Sequence, residues 1–162
     1  MNGKKAKRIL YYAALSAIIV FTFSRIAHKT PDVKGKKYFV KRVIDGDTIV
    51  LSNNERVRYI GINTPEVSHP KKPVEWMGRE ATAFNKKLVE HKYVRLEYDV
   101  DLRDKYGRLL AYVFVDNTHV NAELVRMGYA QVYTVPPNVK YTDLFLSIQR
   151  EARQAKKGLW SE

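Results

Sequence analysis

The stretch Tyr38–Ile62, YFVKRVIDGDTIVLSNNERVRYIGI, decides the fold. Its apolar and β-branched residues alternate with polar ones, a period of two that puts one face of each strand in a core and the other in water. Tyr38–Ile44 reads as a first strand, Asp45-Gly46-Asp47 as a turn and Thr48–Ser52 as the return strand. Asn53-Asn54 is a hairpin signal, and Glu55–Ile62 follows as a third strand. Thr64-Pro65 ends it, because proline cannot donate to a sheet ladder.

Outward from this block the pattern changes. Val67–Met77 is a loop containing Pro70 and Pro73, and Gly78–Glu90 carries Ala81, Phe84, Leu88 and Val89 at helical spacing. Val94–Tyr98 and Leu109–Val115 read as fourth and fifth strands with a charged loop between them. Asn121–Met127 is a short helix ended by Gly128, and Tyr141–Lys157 a longer one that stops at Gly158. Three strands, a helix, two strands, then helices predict an α+β domain, mainly β. The natural candidate is a five-stranded Greek-key barrel of the OB type with about three packed helices. Trp76 and most of the tyrosines read as packing residues of barrel and helices, and His69, His91 and His119 as surface or packing residues.

Upstream, Lys4-Lys5-Ala6-Lys7-Arg8 precedes an apolar run from Ile9 to Phe23. A cationic flank before such a run is a signal sequence or a membrane anchor, and the lack of a clean small-residue cleavage site favours an uncleaved anchor. The expected organisation is a basic cytoplasmic flank at 1–8, an apolar membrane-spanning helix or signal at 9–27, a linker at 28–37 and a globular domain at 38–162. The positive-inside rule puts that domain on the extracellular face of the membrane, or in the medium if the leader is cleaved.

The chain of 162 residues has a net charge of +12 and no cysteine, which excludes disulfides and thiolate metal sites. Residues 1–30 contribute six basic residues and no acid; the 29 basic residues less those six leave 23 against 17 acids, a net of +6. That excess still calls for an anionic partner, and nucleic acid fits it. Three segments carry the candidate chemistry: Asp45-Gly46-Asp47-Thr48, Arg58–Glu66 (RYIGINTPE) and Asp104-Lys105-Tyr106-Gly107-Arg108. Asp47, Asn63, the Thr64 carbonyl and Glu66 are oxygen donors suited to Ca²⁺ or Mg²⁺ rather than zinc. Arg58 and Arg108 suit bidentate binding of a phosphate. Tyr106 and Tyr133 are candidate hydroxyl donors or stacking platforms. Together these point to metal-dependent hydrolysis of a phosphodiester. The alternative is a catalytically weak or inactive OB-fold module that binds nucleic acid without cutting it.

IDGDT (Ile44–Thr48), Arg58 followed by NTPE (Asn63–Glu66), HPKK (His69–Lys72), DKYGRLLAY (Asp104–Tyr112), VNAELVRMGYA (Val120–Ala130) and the C-terminal AKKGLWSE resemble the staphylococcal nuclease family. The resemblance runs from about Tyr38 to Glu162 in one order. It implies a Ca²⁺-dependent endonuclease acting on DNA and RNA, single-stranded or frayed, and yielding 5′-hydroxyl and 3′-phosphate ends. It further implies Asp47, Asn63 and Thr64 as metal ligands, and Glu66 as the residue that positions or deprotonates water. Arg58 and Arg108 would bind the scissile phosphate, Lys105 and Tyr106 its neighbour, Tyr133 would shape the nucleotide pocket, and Lys72 would join the substrate contacts. Two departures stand out: Asn63 replaces the family's usual Asp, and Val135 takes the place of a second pocket tyrosine. Nothing in the sequence calls for more than a monomer.

Overall fold

Strand β1 (Lys37–Asp45) is long enough to serve two neighbours, and the barrel is built on that division. Its C-terminal part pairs antiparallel with β2 (Thr48–Leu51), and its N-terminal part with β5 (Tyr93–Glu97). Register slips between Val40 and Arg42, and again between Val43 and Asp45, bend the strand from one partner toward the other. β2 pairs with β3 (Arg56–Tyr59), and β5 with β6 (Leu109–Val115). β3 and β6 then run parallel, Val57 opposite Leu109 and Tyr59 opposite Ala111, which closes the five strands into a barrel.

The computed structural model describes residues 35–67 and 73–161. The expected cytoplasmic flank and membrane-spanning segment, most of the linker, and Lys72 among the expected substrate contacts lie outside the described residues. Beyond the barrel stand helices α1 (Gly78–Val89), α2 (Val120–Arg126) and α3 (Thr142–Gln154) and a 3₁₀ turn at Gly158–Trp160. Two short pairings complete the list: β4 (Ile62–Asn63) with β8 (Gln131–Val132), and β7 (Thr118–His119) with the end of β6.

The inward positions Val40, Ile49, Leu51, Val57, Val94 and Val113 are buried, as the alternating pattern requires, and Tyr59, Tyr112 and Phe145 fill the space between barrel and helices. Each such side chain contributes about 1.5–3 kcal/mol relative to exposure. Two buried amides tie helices to strands. Asn121 of α2 accepts from the Val113 N–H (2.9 Å) and donates to the Ile60 carbonyl (2.9 Å). Asn85 of α1 accepts from the Tyr59 hydroxyl (2.9 Å) and donates to the Asp45 carbonyl (3.1 Å), which fixes the β1–β2 turn to the core.

The five barrel strands and three helices match the expected OB-type architecture, with one break. The third strand does not run through to Ile62: at Gly61, φ is +79° and a Cβ would stand 2.8 Å from the Phe145 ring. Only glycine takes that left-handed turn without strain against the aromatic ring. The chain leaves the barrel there, and Ile62–Asn63 pairs with Gln131–Val132 instead. Trp76 also departs from expectation. It is 61% exposed on the connection into α1 and packs into neither barrel nor helix.

His119 is a packing residue, set among Phe114 (stacked, ring centroids 4.4 Å apart), Tyr141 and Phe145. Burial pushes its pKa down to about 4, against the pull of Glu97. The folded state therefore holds it neutral where the unfolded chain, titrating at the ordinary value of 6.5, takes up a proton. Stability is fully present above the unfolded value and falls as pH drops toward 4, at up to about 1.4 kcal/mol per pH unit. His119→Phe should flatten that acid limb in urea titrations between pH 7 and 4.5. Identical slopes for variant and wild type would exclude His119 as its source.

Candidate active site

The Asp45-Gly46-Asp47-Thr48 turn is pressed against the corner that follows β4. A Cβ on Gly46 would lie 2.6 Å from Thr64 Oγ1, so glycine is what lets the two segments touch. Asp47 is buried, and its Oδ2 accepts from the Thr64 N–H (2.8 Å) while Oδ1 accepts from the Thr48 hydroxyl (3.1 Å). Asp45 Oδ1 accepts from the Asp47 N–H (3.1 Å). Burial raises the pKa of the Asp45 carboxyl, opposed by its hydrogen bond to Thr48 and by the charges of Arg58 and Arg108.

Arg58 rises from β3 into this cluster. Its Nη1 forms an ion pair with Asp47, and its Nη2 donates to Asn63 Oδ1 (2.7 Å). Burial lowers its pKa to about 10, which still leaves the guanidinium charged at neutral pH. Arg108 stands at the entrance to β6, the strand beside β3. Its backbone N–H and its Nε both donate to Asp104, at 3.0 and 2.7 Å. Among the described residues neither Nη of Arg108 makes a hydrogen bond, so the fork is open to a ligand. Glu66 is exposed. Its backbone is held by Glu75, whose carboxylate accepts from the Glu66 N–H (3.0 Å) and whose N–H donates to the Glu66 carbonyl (2.9 Å). The Glu66 carboxylate lies close enough to raise the pKa of Arg58.

Both arginines open onto one cavity of about 500 Å³, lined also by Lys105, Tyr106, Tyr133 and Val135. Tyr106 is 73% exposed and lies under the Lys105 and Arg108 cations, at 5.1 and 5.5 Å from its ring centre. Tyr133 is brought there by the β4–β8 pairing, through its N–H donating to the Gly61 carbonyl (2.9 Å). The site residues expected from the sequence thus divide into two groups joined by Arg58. Asp47, Asn63 and Thr64 gather by the Thr64 N–H bond to Asp47 and by the Arg58 guanidinium that Asp47 and Asn63 share; Arg108, Lys105, Tyr106 and Tyr133 face the cavity. Glu66 stands beside the cluster and does not line the cavity.

The sequence put Asp45 and Asp104 in candidate motifs without a role for either, and it did not mark Arg103 at all. The i, i+2 alternation of Asp45 and Asp47 was a signal for the first. Asp104 and Arg103 act through the turn they sit in, and no spacing announces that.

A family model described as staphylococcal nuclease homologue matches residues 56–162, from β3 to the C-terminus. The chain belongs to the staphylococcal nuclease family. It is 43% identical over 153 residues to a thermonuclease of Staphylococcus intermedius, covering 89% of this chain and 91% of that protein. It is 36% identical over 157 residues to a thermonuclease of Staphylococcus hyicus, covering 91% and 93%. Endonuclease YncB of Bacillus subtilis is 44% identical over 142 residues, covering 82% of this chain and 67% of that protein.

The donor set of this staphylococcal nuclease homologue fits a hard cation. Asp45, Asp47 and Asn63 carry side-chain oxygens without sulfur or imidazole beside them, and the Asp47 and Asn63 oxygens already accept a positive group, the Arg58 guanidinium. Among the described residues no three His, Cys, Asp or Glu side chains gather closely enough to hold a metal by themselves.

Proposed function

We propose that this nuclease-family chain is a Ca²⁺-dependent endonuclease that hydrolyses the phosphodiester bonds of DNA and RNA to 5′-hydroxyl and 3′-phosphate ends. One observation carries the reading. Two guanidinium groups, Arg58 on β3 and Arg108 at the entrance to the neighbouring β6, open on the same cavity beside the Asp47 and Asn63 oxygens. Thermonucleases and an endonuclease among its relatives support the same chemistry.

The residues divide the work as follows. Arg58 and Arg108 bind the scissile phosphate and offset the charge that grows on it in the transition state. Glu66, exposed and beside Arg58, orients the attacking water and accepts its proton. Lys105 and Tyr106 hold the adjacent phosphate, and Tyr133 offers its ring to a base. Asp47, Asn63 and the Thr64 carbonyl would hold Ca²⁺, which when bound supplies Lewis-acid neutralisation at the phosphate. Single-stranded or frayed substrate is favoured, because the exposed Tyr106 and Tyr133 rings can stack only on unpaired bases. We place the domain on the outer face of the cell membrane, on the strength of the leader's basic flank and apolar run.

The test incubates the full chain with single-stranded and duplex DNA in the presence of Ca²⁺, Mg²⁺ or excess chelator. Cleavage that needs Ca²⁺ is the expected result; binding without cleavage at millimolar Ca²⁺ would instead make this a binding module. Asn63→Asp restores a negative charge beside Asp47 and should tighten Ca²⁺ about tenfold in calorimetric titration. An unchanged affinity would remove Asn63 from the metal shell.

A further inference from the structure

We propose that Arg103 and Glu55 form a clamp that positions Arg108 for phosphate binding, an inference that rests on the nuclease reading above. The Arg103 guanidinium meets the Glu55 carboxylate fork to fork, Nη1 to Oε2 at 2.9 Å and Nη2 to Oε1 at 3.0 Å. Nη1 has a second hydrogen, and it goes to the Gly107 carbonyl at 2.7 Å. Arg103 therefore ties the loop bearing Arg108 to the β2–β3 connection, whose next strand bears Arg58.

What makes this a positioning device is the peptide unit it holds. The bond between Gly107 and Arg108 has its C=O fixed by Arg103 and its N–H fixed by Asp104 Oδ1 (3.0 Å). The other Asp104 oxygen takes the Arg108 Nε (2.7 Å). Peptide plane and side-chain root of Arg108 are thus held from both sides. No side chain packs over Gly107 itself: it has φ +78°, and a Cβ built on it would meet nothing within 4 Å. A left-handed glycine in open space has no steric reason to keep one orientation, so hydrogen bonds supply it: backbone bonds close the turn (Gly107 N–H to the Asp104 carbonyl, 3.0 Å; Asp104 N–H to the Arg108 carbonyl, 3.1 Å), and the Arg103 clamp adds the tie to the barrel. The base of the clamp is itself fixed, because the Glu55 carbonyl accepts from Leu51 N–H (2.9 Å) and its N–H donates to Asn53 (3.2 Å).

Arg103 also reaches the cavity wall, so direct phosphate binding is the competing role. Its charge argues against that role. Three of its N–H groups are spent on Glu55 and Gly107, and the carboxylate cancels the field a phosphate would feel. Both side chains are part-exposed, at 47% and 35%, and such surface pairs add little to global stability. Disrupting the clamp leaves the fold intact, and misplacement of a catalytic group by about 1 Å is enough to cost a large factor in rate.

The test uses the full chain and the variants Glu55→Gln, Arg103→Gln, Arg103→Lys and the double Gln variant. Steady-state cleavage of single-stranded DNA in Ca²⁺ is measured across salt concentrations, together with NMR signals of the Arg108 backbone N–H and Nε–H. Each single Gln variant should lower kcat about tenfold with KM within about twofold, and the double should be no worse than either. Arg103→Lys, which can still bridge Glu55 and the Gly107 carbonyl, should recover part of the rate. The Arg108 signals should shift and broaden in Glu55→Gln, a substitution at a residue that does not line the cavity. Two results would overturn the clamp: Arg108 signals unmoved in Glu55→Gln, or a raised KM with a smaller salt slope confined to Arg103→Gln, the mark of a phosphate ligand. A wild-type chain that cuts nothing while Glu55→Gln still disturbs Arg108 would sink the nuclease reading and uphold the clamp.

Discussion

Arg108→Ala lowers kcat for DNA cleavage by about 10²–10³-fold, a loss of about 2.7–4 kcal/mol of transition-state stabilisation. The expectation follows from what its guanidinium does in the structure. Nε is spent on Asp104, while among the described residues both Nη groups face the cavity without a protein partner. A charged fork left open beside Arg58 has its use only when a phosphate arrives. The fold loses little in the exchange, because the part-exposed Arg108–Asp104 pair is worth at most about 1 kcal/mol. That moves Tm by about 2–4 °C in a domain of this size. Single-turnover cleavage and thermal unfolding by circular dichroism check both halves. Turnover within threefold of wild type would strip Arg108 of its role. Arg58 is the less clean probe, since removing it also leaves the buried Asp47 carboxylate without its ion-pair partner.

Gly128→Ala has the largest expected effect on stability. Gly128 closes α2 with φ +72°, and a Cβ there would stand 2.2 Å from the Lys157 carbonyl oxygen. The obstacle is backbone and cannot rotate away. Gly158 makes the reciprocal approach, with φ +51° and a Cβ position 2.4 Å from the Gly128 carbonyl oxygen. The two glycines form a latch closed by the Leu159 N–H donating to the Gly128 carbonyl (2.8 Å), which holds the 3₁₀ turn on the end of α2. Left-handed strain alone costs about 1–3 kcal/mol, and the collision adds to it. A loss of about 4 kcal/mol or more is expected in urea titration, or no folded protein at all. Gly107→Ala makes the comparison, because that glycine has the same sign of φ and open space around it. Equal losses at the two positions would mean that the latch contributes nothing beyond strain.

Much of the barrel was legible because its signals are local. Leu109–Val115 emerged as read, and α1 differs by one residue at its C-terminus. The long last helix ends at Gln154 rather than Lys157, where Lys156 turns to φ +49° and starts the approach to the latch. Trp76 misled because an aromatic side chain in a sequence looks the same whether it packs or stands in water. The break at Gly61 was invisible for a related reason. A glycine inside an alternating run reads as part of the strand until the Phe145 ring, 84 positions along, removes the space for any other path.

The site divides along the same line. Which groups are available was written in the sequence: oxygen donors without thiolates, two arginines in separate motifs, and aromatic residues that could stack. It also determined the strands that carry them, since period-two burial is a property of neighbouring residues. The tertiary structure alone decided which of these groups meet. The parallel β3–β6 closure, with Arg58 opposite Leu110, brings Arg58 and Arg108 to one cavity, the turn at Gly61 sends Thr64 back onto Asp47 and Asn63 onto Arg58, and the β4–β8 pairing delivers Tyr133. Arg103 is legible only there, because a clamp is defined by the atoms at both ends. Contacts between distant segments depend on chain closure and packing, and no local pattern encodes those distances.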